Sequence, residues 1–282
     1  DYCQPKMRND QISVFCTHGP IGLKNTRGMV NLPDNLDYCL TPSENYNSTY
    51  MYLYGWKEPC NKLVHLGYPM HDILYHKNDE LKKINNRKYK KVILWMPTFR
   101  KGGNVGRNDS DSEQKYGIPL IKSKEELDGL DNLLRENDSQ LIIKIHPMQD
   151  MTNFNLKSTE NIKVLTGKDV KKLKIDNYRL MSSVDALISD YSSAAYDFLH
   201  CNKPIAYMHD DEKNYKLGYI VKDPHTMMAG DEIFTYDELI MYIKNVINGI
   251  DLYTDKRKEL LEWLFKYQDD KSCERLANFL KL

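Results

Sequence analysis

The chain has 282 residues, 41% of them hydrophobic and 28% charged, with 40 basic residues set against 40 acidic ones. That length accommodates two α/β units, or one complete unit and part of another, and the apolar share supports a folded core, which excludes a disordered chain. The zero net charge removes the broad electrostatic case for a nucleic-acid partner, so any anion chemistry must come from local clusters.

In chain order, the first residue is Asp1 rather than Met, and a strand-like run over residues 12–16 follows almost at once, so the sequence reads as cut from something longer. A strand near 38–40, a helix from about Ser43 and a strand at 63–66 running into Gly67-Tyr68-Pro69 come next. Residues 1–69 are expected to be the latter part of a nucleotide-binding-like domain. From Lys91 onward short β-branched or apolar runs alternate with helical patterns, and strands are predicted at 92–95, 141–145, 162–165, 186–188 and 204–208. Ser123 with Glu126 marks a helix start ahead of Leu127, Leu130, Leu133 and Leu134. Thr235 with Glu238 marks another, ending near Gly249, and further helices are predicted over 258–267 and 273–280. This βαβ rhythm implies an α/β domain over 70–282 whose parallel sheet is covered on both faces. The loop over 101–117, rich in Gly, Asn, Asp and Ser, is expected to be mobile.

Residues 82–101 hold Lys82, Lys83, Arg87, Lys88, Lys90, Lys91, Arg100 and Lys101. They read either as a solvated basic loop or as a patch facing an anionic membrane surface or polymer. The six cysteines are scattered without a C-x-x-C pair. Neither a zinc site nor a disulfide framework is expected, and a reducing cytosol fits. No run approaches the ~20 apolar residues of a membrane span, so the chain is expected to be soluble or peripherally attached. No carboxylate cluster or His/Cys grouping demands a metal. A divalent cation is compatible with the sequence without being required by it.

Four predicted strand ends carry chemistry. Ligands of open α/β sheets bind outside the carboxyl ends of the strands, so residues just past them face the crevice. The run Leu187-Ile188-Ser189-Asp190-Tyr191-Ser192-Ser193 turns from a strand into a helix. A helix start offers unpaired N–H groups to an anion, and the Ser192 and Ser193 hydroxyls add donors. Ordinary capping by Asp190 or Ser192 explains the same spacing. His146-Pro147 ends another strand, and Pro97-Thr98-Phe99-Arg100 a third, where a hydroxyl and a guanidinium can hold phosphate oxygens. His18, in Thr17-His18-Gly19-Pro20, follows the first strand and is a base candidate, because imidazole titrates near neutrality. Packing roles account for either histidine taken alone.

Taken in order, His18-Gly19 with Leu23-Lys24, Leu66-Gly67-Tyr68-Pro69, Pro97-Thr98-Phe99-Arg100, His146-Pro147, Ser189-Asp190-Tyr191-Ser192-Ser193 and Asp269-Asp270-Lys271-Ser272-Cys273-Glu274-Arg275 resemble the motifs of the CDP-glycerol:poly(glycerophosphate) glycerophosphotransferase family, which builds teichoic acids. The resemblance spans nearly the whole chain. It implies a GT-B architecture, two Rossmann-like domains facing across a cleft with the CDP donor held mainly by the second. It also implies an enzyme that moves glycerol phosphate, or a related polyol phosphate, from CDP-glycerol to a teichoic acid or capsular polymer acceptor, with release of CMP. The acceptor would be a polyol-phosphate or lipid-linked polymer, and the protein would sit peripherally on the inner face of a bacterial cell membrane. Carried over residue by residue, His18 is the general base and His146 the second catalytic histidine, in contact with donor phosphate. Arg100, Thr98, Ser192, Ser193 and Asp190 make up the donor phosphate site. The family usually reads His-Gly-Thr-Pro-Leu-Lys, whereas this chain has an extra residue and a displaced proline between His18 and Lys24, a departure on the acceptor side. Two other readings stand beside this one: a GT-B glycosyltransferase using a nucleotide sugar, and a noncatalytic domain that binds anionic polymer.

Overall fold

The computed structural model describes residues 3–100, 115–152, 154–209 and 216–282. Most of the expected loop over 101–117, and Lys101 of the basic stretch, lie outside the described residues. Two parallel sheets organise the chain. The smaller has the order β1-β2-β3, from Val14–Phe15, Tyr38–Leu40 and Leu63–Val64. The larger has the order β6-β5-β4-β7-β8-β9, from Lys91–Trp95 (β4), Ser139–Lys144 (β5), Ile162–Leu165 (β6), Ala186–Ser189 (β7), Ile205–Met208 (β8) and Asp231–Ile233 (β9). Every pairing within it is parallel.

The mixed α/β class with parallel sheets is the one expected. Its physical basis shows in β4, Lys-Val-Ile-Leu-Trp, where alternate residues enter opposite cores. Val92 and Leu94 join Ile142, Leu187 and Tyr207 on one face, while Ile93 and Trp95 join Leu141, Ile143, Ile188 and Met208 on the other. A strand buried on both faces has no polar side, hence its continuous apolar run. The second face is closed by α3 (Lys124–Glu136) through Leu130 and Leu134, and by α7 (Tyr236–Asn248) through Leu239, Tyr242 and Ile243. Both helices start at the expected capping boxes, and Gly249 ends α7 in the left-handed region. The first face is continuous with the smaller sheet, because Phe15, Ile21, Leu23, Cys39, Tyr46 and Tyr50 belong to the same apolar cluster.

Several expected boundaries shift. The first strand is confined to Val14–Phe15, and the helix expected from Ser43 is a 3-10 turn, Glu44–Tyr46, leading into α1, Asn47–Tyr54. The helix expected over 258–267 is α8, Thr254–Leu264, and the last is α9, Ser272–Leu280. The sequence reading does not include α4 (Gly167–Leu173), α5 (Asn177–Ser183), the short edge strand β9 or the short helix that follows Tyr68.

The last helix returns to the smaller sheet. Asp72, in α2 (Pro69–Asp72), accepts the backbone N–H groups of Ser272 at 2.9 Å and Cys273 at 2.8 Å, so it caps α9 from elsewhere in the chain. Arg275 donates from Nε to the Leu66 carbonyl at 2.9 Å and pairs with Asp269. Gly67 has φ +78°, and a Cβ there would stand 2.4 Å from Ser272 Oγ. The Leu66-Gly67-Tyr68-Pro69 and Asp269–Arg275 motifs are thus the two halves of one structural brace.

Candidate active site

The strand order changes direction between β4 and β7: successive strands run outward to β5 and β6 on one side, then to β8 and β9 on the other. Loops leaving two strands at such a point diverge and open a crevice. Here they are Pro97–Arg100 after β4 and Asp190–Ser193 after β7, and side chains join them. Asp190 accepts the Thr98 backbone N–H at 2.8 Å and the Thr98 hydroxyl at 2.5 Å. Arg100 Nη1 donates to Asp190 at 2.8 Å and to the Thr98 carbonyl at 2.9 Å. Arg100 and Asp190 are each only 2% exposed. Burial pushes the Asp190 carboxyl up, but the Arg100 guanidinium, then Lys24, and the hydrogen bonds overturn that and hold it below its ordinary value.

In front of this pair lies a cleft of about 380 Å³. His18, Lys24, Thr98, His146, Ser192 and Ser193 all line it. Five of the seven expected site residues therefore meet on one surface. The other two, Arg100 and Asp190, sit behind it and fix the Thr98 loop. Asp190 does not cap the following helix, because its carboxylate is committed to Thr98 and Arg100. That helix, α6, is only Ala194–Phe198 and has no side-chain cap. A helix this short carries a small dipole, so the hydroxyls and Lys24 supply the cleft's donors and positive charge.

In the sequence Lys24 stands out only as part of a motif. Its Nζ reaches the Thr98 hydroxyl at 3.3 Å from 74 positions away and brings a cation to the cleft. The loop carrying it is anchored at every step. Ile21 and Leu23 are buried, the Tyr50 hydroxyl donates to the Pro20 carbonyl at 3.0 Å, and the Tyr46 hydroxyl to that of Gly22 at 3.3 Å. Gly19 adopts φ +60°, and a Cβ there would stand 2.0 Å from Ser193 Oγ and 2.4 Å from Ser193 Cβ. Glycine lets the His18 loop touch the Ser192-Ser193 turn.

The two histidines differ in environment. His146 is desolvated and lies near Lys24 and Lys144, which pushes its pKa down to about 4. Its Nδ1 accepts the Met148 backbone N–H at 3.1 Å. The neutral ring must then carry its proton on Nε2, a hydrogen-bond donor without charge. His18 is exposed at the mouth of the cleft. Partial desolvation lowers its pKa as well, while Asp197 acts in the opposite direction, so it is a neutral proton acceptor near pH 7. Asp197, just past the serine turn, is buried and pairs with His71 Nε2 at 2.8 Å, a link between α2 and α6 that the sequence reading missed.

The basic stretch is largely neutralised. Lys82 pairs with Asp79, Lys83 with Glu80, and Arg87 with Asp138 and Glu160. Lys88 and Lys90 are exposed. Among the described residues, no helix is long and apolar enough to cross a membrane.

Fold and site together define an α/β protein of two parallel sheets with a cationic, hydroxyl-lined and histidine-bearing cleft. A family model described as CDP-Glycerol:Poly(glycerophosphate) glycerophosphotransferase matches residues 7–282. The chain belongs to that family. It is 29% identical over 252 residues to the teichoic acid glycerol-phosphate primase of Bacillus subtilis (strain 168), covering 87% of this chain and 57% of that protein. It is 26% identical over 242 residues to the teichoic acid ribitol-phosphate polymerase TarL of Staphylococcus aureus (strain NCTC 8325 / PS 47), covering 82% and 39%. The chain thus spans little more than half the length of the first relative and less of the second. Among solved structures it resembles the wall teichoic acid polymerase TagF, with a TM-score of 0.73 at 19% identity over 100% of this chain and 71% of that one. A variant of TagF soaked with CDPG aligns with a TM-score of 0.72 at 21% identity, over 99% and 70%.

Proposed function

We propose that this chain is the catalytic portion of a transferase that moves glycerol phosphate, or a related polyol phosphate, from CDP-glycerol to a teichoic acid or capsular polymer and releases CMP. The observation that carries the reading is the convergence of His18, Lys24, Thr98, His146, Ser192 and Ser193 on one cleft. The names of the relatives and the CDPG soak of TagF point to the same donor and polymer class. In this reading residues 1–69 are the acceptor-side unit and 70–282 the donor-binding unit of a GT-B pair, braced by α9.

The acceptor hydroxyl gives its proton to His18 and its oxygen attacks the phosphorus that bears the polyol. The bond from that phosphorus to the bridging oxygen breaks, and the electron pair leaves on CMP. Lys24, the Ser192 and Ser193 hydroxyls, Thr98 and His146 Nε2–H stabilise the charge on the transferring and leaving phosphates. Arg100 acts as a positioning residue through Asp190 and Thr98. Attachment to an anionic inner membrane face, where a lipid-linked acceptor would lie, falls to exposed cations such as Lys88 and Lys90.

The test uses the protein at its full natural length, incubated with acceptor and with CDP-glycerol, CDP-ribitol or UDP-sugars in turn. CMP release from a CDP-polyol alone is expected, and UDP release from a sugar donor would refute the assignment in favour of a glycosyltransferase. His18→Ala is expected to lower turnover by about 10²–10⁴-fold with unchanged circular dichroism. Unaltered turnover would remove His18 from the mechanism.

A further inference from the structure

Beyond β8 three metal-ligating side chains meet that the sequence reading did not connect. They are His209, His225 and Glu232, with their ligand atoms all within 4.8 Å of one another. His209 stands immediately past β8, its side chain fully buried. Its ring stacks on Phe234 at a centroid distance of 5.0 Å, and its backbone N–H continues the ladder to the Ile233 carbonyl at 2.9 Å. Glu232 projects from β9, one carboxylate oxygen 3.3 Å from His209 Nε2. His225 comes from the 3-10 turn Pro224–Met227, where Asp223 accepts its backbone N–H. Its Nδ1 is hydrogen-bonded to the same Glu232 oxygen.

We propose that His209, His225 and Glu232 form a binding site for a zinc-class divalent cation. Two imidazoles and one carboxylate suit zinc and its borderline neighbours, whereas magnesium and calcium favour all-oxygen sets. Ligand bonds of about 2.0–2.2 Å at tetrahedral angles set neighbouring donors about 3.3 Å apart, the separation already present between His209 and Glu232. Three protein ligands from three chain segments leave a fourth position for water.

The site lies outside the cleft, but the chain between its ligands touches the loop that forms it. Gly218 accepts the Asn25 N–H at 3.1 Å, Ile220 donates to the Leu23 carbonyl at 2.8 Å, and Tyr219 bridges to Lys24. A cation held at both ends of that segment steadies the strip on which Lys24 is mounted.

The test loads the chelator-treated protein with zinc alone. The expected result is one zinc per chain by elemental analysis and a raised melting temperature. Cobalt in its place should give the intense visible bands of a low-coordinate nitrogen and oxygen site. His225→Ala and Glu232→Gln, both partly exposed and away from the cleft, should weaken zinc binding by at least ~10-fold and erase the melting response while the metal-free melting temperature stays put. Undiminished zinc binding in the double variant overturns the proposal. So does a wild-type protein that binds no zinc, or whose cobalt spectrum is that of the hexaaqua ion, a result that stands even if the variants fail to fold.

Discussion

Replacing Gly19 with alanine puts two costs on one methyl group. The backbone there has φ +60°, where an L-residue loses about 1–2 kcal/mol relative to glycine. The methyl would also arrive 2.0 Å from Ser193 Oγ and 2.4 Å from Ser193 Cβ. Swinging the hydroxyl to another rotamer removes only the first contact, so the serine turn or the His18 loop must move by roughly an ångström. Overpacking of this kind costs about 1–3 kcal/mol. Gly19→Ala should therefore lower the unfolding free energy by about 2–5 kcal/mol in urea denaturation. Transfer should fall by about 10²-fold, since a misplacement of that size at reacting groups carries such a loss. A second substitution, Ser193→Gly, removes both contacting atoms. The double variant should regain the steric part of the stability, keep the backbone part, and remain poor in catalysis. A Gly19→Ala protein with wild-type stability and turnover would refute the close approach of the two loops. So would a double variant no more stable than the single one.

Asp190→Ala should cost about 3–5 kcal/mol in the same denaturation experiment, because it strands the Arg100 guanidinium in a buried site. Asp190→Leu combined with Arg100→Met should recover much of that stability without restoring activity, and equal losses in both would show that the charge pair is not the cause. Since the folded chain keeps His146 neutral where the unfolded chain protonates it near pH 6.5, the stability from this group is present above about pH 6.5 and disappears as pH falls toward about 4. That contribution is on the order of 3 kcal/mol, and a His146 ring that titrates near 6.5 by NMR would contradict it. Asp72→Ala should cost about 1–3 kcal/mol by uncapping α9 and should make 272–280 the first segment to exchange its amide hydrogens. Uniform exchange across the chain would argue against the brace.

The features legible in the sequence share a cause: each is written over a few neighbouring residues. The apolar run of β4 reports burial on both faces, the Ser123–Glu126 and Thr235–Glu238 pairs report helix starts, and each of the four strand ends carries its own polar residues. The capping box of Thr166 with Asp169 is of the same kind, so α4 was there to be read. β9 was less accessible, since three residues at a sheet edge present too short a pattern for periodicity to register.

The rest depends on distance through space. Nothing adjacent to Arg100 in the chain says that its charge is consumed by Asp190, 90 positions later, or that Lys24 supplies the cation to the cleft instead. The reversal of strand order between β4 and β7 decides both, because it sets their two loops side by side and closes a carboxylate between them. The meeting of His209, His225 and Glu232, and the capping of α9 by Asp72, likewise arise only when the sheet edge and the last helix are in place. The sequence by itself determined the α/β class, the family and the kinds of side chain at the strand ends, since local propensity and burial act within one element. Only the tertiary structure decided which of those side chains face the cleft and which hold their neighbours in position, since charge pairing and close packing act between elements.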